Sequence, residues 1–185
     1  PFIEILAGIP SVVLGFFGLV VVAPLIKQLF DLNTGLTALT GAVLLAFMAI
    51  PTIMSISEDA IKSVPSAYKE ASLALGASKL ETIWKVVVPA ALSGIVASVM
   101  LGMGRVVGET MTVMMVTGNA PVISMNPFTS VRTMTATIAA EMGEVTIGSD
   151  HYMALFWVGI VLMLMTFILN MISFRVLKKY GMIDK

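Results

Sequence analysis

Apolar residues run along the chain in four long blocks, and the stretches between them gather most of the charge. No Asp, Glu, Lys or Arg lies between Glu4 and Lys27, between Asp31 and Glu58, between Lys85 and Arg105, or between Asp150 and Arg175. A helix that crosses a bilayer needs about 20 apolar residues, and each block meets that length. The pattern predicts spans over roughly Ile5 to Ile26, Leu36 to Ile56, Pro89 to Thr117 and Tyr152 to Phe174. Gly8, Pro10, Gly15, Gly18 and Pro24 interrupt the first span, and small residues there let neighbouring helices approach closely. A turn rich in Asp, Asn, Thr and Gly follows over Lys27 to Gly35. Pro51 is expected to kink the far end of the second span, and Pro89 to open the third, since proline suits a first helical turn. Tyr152 and Trp157 fall where an outer aromatic belt belongs.

Composition sharpens this into a class. Hydrophobic residues make up 58% of the chain and charged ones 12%, with a mean hydropathy of +1.00, which is too apolar for a soluble domain of this size. The expected fold is all-α: a polytopic bundle of four transmembrane helices in one domain over residues 1–185, with polar loops at 58–88 and 118–151. The loop Glu58 to Lys85 carries Lys62, Lys69, Lys79 and Lys85, the segment Gly118 to His151 carries only Arg132, and the tail holds Arg175, Lys178, Lys179 and Lys185. Short loops rich in Lys and Arg stay in the cytoplasm. The 58–88 loop and the tail are therefore expected inside, and the 118–151 loop outside. A formal net charge of zero without a dense basic stretch argues against nucleic acid as a partner. The absence of cysteine removes disulfides, thiolate metal sites and cysteine nucleophiles. Because the sequence opens on Pro1 and runs straight into an apolar block, it reads as the C-terminal part of a longer protein.

The 58–88 loop has its own grammar. Pro65 opens a short helix and Gly76 closes it in a left-handed conformation. Ser78-Lys79-Leu80-Glu81 fits a capping box that starts a second helix, and Pro89 ends that unit where the membrane span begins. Glu70-Ala71-Ser72, then Gly76 four residues on, then nine residues and Val86-Val87-Val88-Pro89 resembles the EAA loop of ATP-binding-cassette importer permeases. Ser72 stands where that pattern has its third letter Ala, and Val86 and Val88 replace Ile and Leu. The resemblance implies that Glu70, Ala71, Gly76 and Pro89 belong to a cytoplasmic coupling loop, whose short helix docks on a separate ATP-binding subunit.

A second constellation lies inside the third block. Arg105 and Glu109 are four residues apart, a spacing that puts both on one face of a continuous helix. Ionisable groups in a bilayer are costly unless they pair or face a polar cavity, and they mark ion or substrate paths. The competing reading is a structural Arg105-Glu109 pair that locks helices together. Gly104-Arg105-Val106-Val107-Gly108-Glu109-Thr110-Met111, with Thr112-Val113 and Gly118-Asn119 beyond it, is similar to the Gly-Arg-x-x-Gly-Glu-Thr-Met stretch of the phosphate importer permeases of PstC type. Ile5 to Val13 and Arg132 to Glu141 resemble two further stretches of that family, so the resemblance covers nearly the whole chain. It implies a multi-pass permease of the bacterial or archaeal cytoplasmic membrane that translocates inorganic phosphate and has no catalytic residues. Its implied partners are the ATP-binding subunit, a second permease subunit of PstA type, a periplasmic or lipid-anchored phosphate-binding protein and membrane lipid. The substrate path is assigned to Arg105, Glu109, Thr110 and Thr112, because guanidinium offers a charged fork to phosphate oxygens and the threonines add hydroxyl donors.

Other features read more plainly. No Gly-x-x-x-x-Gly-Lys-Ser/Thr occurs, so ATP is expected on the partner and no cofactor on this chain. His151 has no second set of metal ligands around it, and no metal is expected. The 15 methionines read as apolar packing, and Gly102 and Gly104 as close-packing positions. Arg132 and Glu141 either meet a binding protein or sit on a solvated loop helix. An intramembrane enzyme using Glu109 beside Arg105 lacks a second carboxylate, a serine with a base or a metal set, and a stand-alone channel has no use for the docking loop.

Overall fold

A computed structural model describes residues 8–179, with side chains as far as Arg175. Expectations that fall on Ile5 to Ala7 and on the tail beyond Lys179 lie outside the described residues. We label the helices α1 (Ser11–Leu29), α2 (Ala38–Lys62), α3 (Ser66–Ala74), α4 (Lys79–Gly108), α5 (Met111–Val116), α6 (Met134–Glu141) and α7 (Asp150–Lys179). Among the described residues α1, α2, α4 and α7 are long and apolar enough to cross a membrane, as the hydropathy pattern predicts.

The centre of the bundle is the antiparallel pair of α2 with α4 and α5, and small residues set how closely it packs. A Cβ built on Gly94 would lie 2.3 Å from the Ala60 Cβ, and one on Gly102 would lie 2.5 Å from Ile53. Between them the hydroxyls of Ser57 and Ser98 are 2.7 Å apart, and Ser98 also donates to the Ile95 carbonyl. Further along, the Thr112 hydroxyl points at the Met48 sulfur, and a Cβ on Gly41 would meet Thr117. The register is thus Ala60 to Gly94, Ser57 to Ser98, Met48 to Thr112 and Gly41 to Thr117. Close approach of this kind substitutes for the hydrophobic drive that is missing between helices in lipid. α1 packs on α5 and α2 in the same way, where Gly15 abuts Met115 of α5 and Gly18 abuts Leu44 of α2. Val22, Ile26, Leu44 and Val116 form the buried core there.

Of the three prolines within spanning helices, Pro24, Pro51 and Pro89, the first and last are accommodated by one device. A π-helical turn over Gly18–Val22 precedes Pro24, and another over Ile83–Val87 precedes Pro89. The Ala23 amide bonds the Gly18 carbonyl and the Val88 amide bonds the Ile83 carbonyl, five residues back instead of four. A widened turn makes room for a ring that cannot donate to the ordinary ladder. This corrects one expectation: Pro89 does not begin the third span, because α4 runs continuously from Lys79 through it. α2 likewise continues through Pro51 to Lys62, beyond the expected end at Ile56, and carries Glu58 and Asp59 on its last turns.

Candidate functional site

The third span, expected as one helix to Thr117, is instead broken. α4 ends at Gly108, Glu109 is extended with φ −68° and ψ 130°, and Thr110 leads into α5. The level of the break follows from the register. Arg105 Nη1 donates to the Thr52 hydroxyl at 3.1 Å, and Thr52 lies about 3 Å along the axis from the centre of α2 at 1.5 Å per residue. The gap between α4 and α5 therefore sits near the middle of the membrane-spanning bundle. Irregular backbone at that depth survives only where it is buried in protein or lines water.

Side chains satisfy the two helix ends at the break. The Glu109 carboxylate accepts the Thr112 amide at 3.1 Å and so caps the start of α5. The Glu109 carbonyl accepts the Thr135 hydroxyl at 2.9 Å, and the Thr110 hydroxyl donates to the Gly108 carbonyl at 3.2 Å. The Thr112 hydroxyl is fully buried and donates to the Ser11 carbonyl at 2.9 Å, tying α1 to α5.

This geometry revises the Arg105 and Glu109 reading. Their spacing puts them on one face only if the helix continues, and it stops between them. Glu109 turns away to cap α5, and among the described residues Arg105 has Thr52 as its hydrogen-bond partner and no carboxylate. Neither a locking pair nor a restraint of Arg105 by Glu109 is present. Arg105 is exposed, Glu109 and Thr110 are half-buried, and Thr112 faces the interior. Gly104, expected to be a close-packing position, has open space where a Cβ would stand; Gly102 does pack closely. Thr52 and Thr135 escaped the sequence reading. A hydroxyl directly after Pro51 in mid-span was the available signal for Thr52, whereas Thr135 carries none until the fold brings it to the break.

Thr135 reaches Glu109 because the 118–151 segment folds back into the bundle instead of staying wholly outside. Gly118 turns with φ +81° against Ser130, and the Val131 amide donates to the Thr117 carbonyl at 3.0 Å. Ser130 donates to the Leu36 carbonyl and Arg132 Nε to the Asn119 carbonyl. Arg132 also pairs with Glu141, whose other oxygen lies 2.9 Å from His151 Nε2. Arg132 and Glu141 thus clasp this segment onto the start of α7, and neither is a solvated loop charge.

At the opposite end of α2, the 58–88 loop has the predicted local chemistry. Pro65 is the N-cap of α3, Gly76 has φ +88°, and both halves of the Ser78-Glu81 capping box are formed. The Ser72 hydroxyl, at the third position of the triplet, meets the Thr82 hydroxyl at 3.0 Å and fastens α3 to the start of α4. α3 has no buried residue, Glu70 and Ala71 are exposed, and Leu75 and Leu80 are 90% and 70% exposed. Pro89 lies about two turns beyond Thr82, on α4.

Comparison with known proteins accords with this architecture. The family model for "Binding-protein-dependent transport system inner membrane component" matches residues 1–180. A probable ABC transporter permease protein, YqgH, of Bacillus subtilis is 46% identical over 91% of the chain and 54% of its own length. The phosphate transport system permease protein PstC of Mesorhizobium japonicum is 38% identical over 92% of the chain and 58% of its own length. The chain thus spans a little over half the length of these relatives. Among solved structures, an inward-facing conformation of the MetNI methionine ABC transporter matches with a TM-score of 0.72 and 20% identity, over 97% of this chain and 73% of that one. That match speaks for the fold.

Proposed function

The chain belongs to the family of binding-protein-dependent transport system inner membrane components, and from that premise we propose that it forms part of the path by which an ATP-driven importer moves inorganic phosphate across the cytoplasmic membrane. The observation that carries the reading is Arg105, exposed at mid-depth beside a break in the third spanning helix. An unpaired guanidinium at that level is costly against lipid and stable against a water-filled, anion-accepting path. One arginine without a carboxylate partner attracts a phosphate oxygen through its fork yet holds it weakly enough to release it.

In this reading Arg105 touches the ion, while Glu109, Thr110 and Thr112 shape the break that presents it. A second permease subunit of PstA type walls the water-filled path on the side opposite Arg105, and the segment at 118–151 faces a phosphate-binding protein. ATP is hydrolysed by a separate cytoplasmic subunit, on which α3 docks through Glu70, Ala71 and the exposed Leu75, with Gly76 setting the turn. The PstC relatives support phosphate as the ion.

The test is phosphate uptake by the complex that co-purifies with this protein, reconstituted in liposomes with ATP inside. Arg105→Ala is expected to assemble normally and lose uptake, and Arg105→Lys to recover little of it, because an ammonium lacks the planar fork. Normal uptake by Arg105→Ala would remove the residue from the path, and uptake of a different oxyanion in place of phosphate would reassign the substrate.

A further inference from the structure

The contact between α2 and α4 at mid-depth carries one step more, which rests on the path reading above. We propose that Thr52 is a positioning residue for Arg105: its hydroxyl, 3.1 Å from Nη1, aims the guanidinium along the exposed face of the bundle without cancelling its charge.

One requirement and two observations lead there. The Arg105 side chain must be held, because a long free side chain loses the orientation on which a two-pronged contact with an oxyanion depends. Glu109, the acidic group its spacing offered, is committed to the Thr112 amide. What remains at hydrogen-bond distance is a neutral hydroxyl on a rigid element, since Thr52 stands in the middle of α2, next to the buried Pro51, where α2 packs on α4. A guanidinium carries five N–H donors and Thr52 engages one nitrogen. The rest stay available on the exposed side.

The choice of a hydroxyl over a carboxylate has a chemical consequence. A carboxylate against Arg105 would supply the anion that the path is meant to receive, and the ion would then have to displace it. A hydroxyl accepts the same N–H and leaves the positive charge in place.

The test compares four substitutions in the reconstituted complex, with inorganic phosphate as the ion and Arg105→Ala as reference. Thr52→Val keeps the shape and removes the acceptor; uptake should fall about tenfold, the loss expected for a hydrogen bond to a charged group, with assembly and thermal stability unchanged. Thr52→Ser and Thr52→Asn keep an acceptor and should retain most of the uptake. Thr52→Asp is isosteric with Thr52→Asn but places a carboxylate on Arg105, and it should abolish uptake. A purely structural role predicts that Thr52→Asn and Thr52→Asp behave alike, and that outcome, or normal uptake by Thr52→Val, overturns the proposal. If Arg105→Ala itself transports phosphate normally, the path reading has failed; if Arg105→Ala is dead and Thr52→Val is normal, only the positioning role has.

Discussion

Gly94, Gly102 and Gly104 lie on the same helix, yet a methyl group would mean something different at each. At Gly94 it would stand 2.3 Å from the Ala60 Cβ, a rigid neighbour that cannot swing aside, so Gly94→Ala must push α2 and α4 apart. The expected cost is about 1–3 kcal/mol, seen as earlier loss of the folded protein on heating in detergent. At Gly102 the obstacle is Ile53, whose Cδ1 can rotate away in part. At Gly104 there is open space, and Gly104→Ala should leave thermal stability unchanged; a drop as large as that of Gly94→Ala would mean that the α2-α4 contact is misassigned. The sequence made both Gly102 and Gly104 look like packing glycines, because small residues in an apolar helix carry no mark of which way they face. Arg105 was legible for the opposite reason: a charge inside an uncharged block stands out without any knowledge of its neighbours.

Helix ends were harder to read than helix interiors. Hydropathy found all four spans, but an apolar window from Pro89 to Thr117 is blind to a break that costs only two residues of helical geometry. The clue was present in Gly108-Glu109-Thr110, a poor helix former followed by residues that cap. It was outweighed by the four-residue spacing of Arg105 and Glu109, which invited a pair. The 58–88 loop was read almost completely, since its helices are short and their caps are encoded in neighbouring residues. Glu109→Ala should remove the acceptor of the Thr112 amide and cost about 1 kcal/mol, as for a lost helix cap. Glu109→Gln keeps an amide oxygen in that place and should be stable. Thermal unfolding of the two variants decides the matter, and equal stability of both with the unmodified protein would refute the capping role. In the 58–88 loop, Gly76→Ala meets no neighbour within 4 Å, so its effect is confined to the backbone, where φ +88° costs a non-glycine residue about 1–2 kcal/mol. It should weaken co-purification of the ATP-binding subunit while insertion in the membrane is unaffected. Undiminished co-purification would remove that turn from the docking element.

Taken alone, the described chain leaves two kinds of exposed surface at mid-depth. α7 is almost wholly exposed, with Phe156, Trp157 and Phe167 standing out; the α2-α4 face carries exposed Arg105. Hydrocarbon suits the first and is costly for the second, so two surfaces of similar accessibility suit different surroundings, lipid and water. A membrane does distinguish them. The chain has no cysteine, so a single one can be introduced at Arg105 or at Phe167 without background from this region. In the assembled complex, a charged, water-soluble thiol reagent should modify Arg105→Cys, because the reagent travels in water and the proposed path is wetted at that position. It should spare Phe167→Cys, which is 60% exposed in the bundle on the apolar α7 face that suits hydrocarbon. Excess phosphate or a trapped ATP-bound state should change the rate at the first position and not at the second, since only a path position senses what occupies or closes it. Equal labelling at both positions would mean that mid-depth exposure alone admits the reagent, and protection of Arg105→Cys in every state would place that face against protein or lipid instead of water.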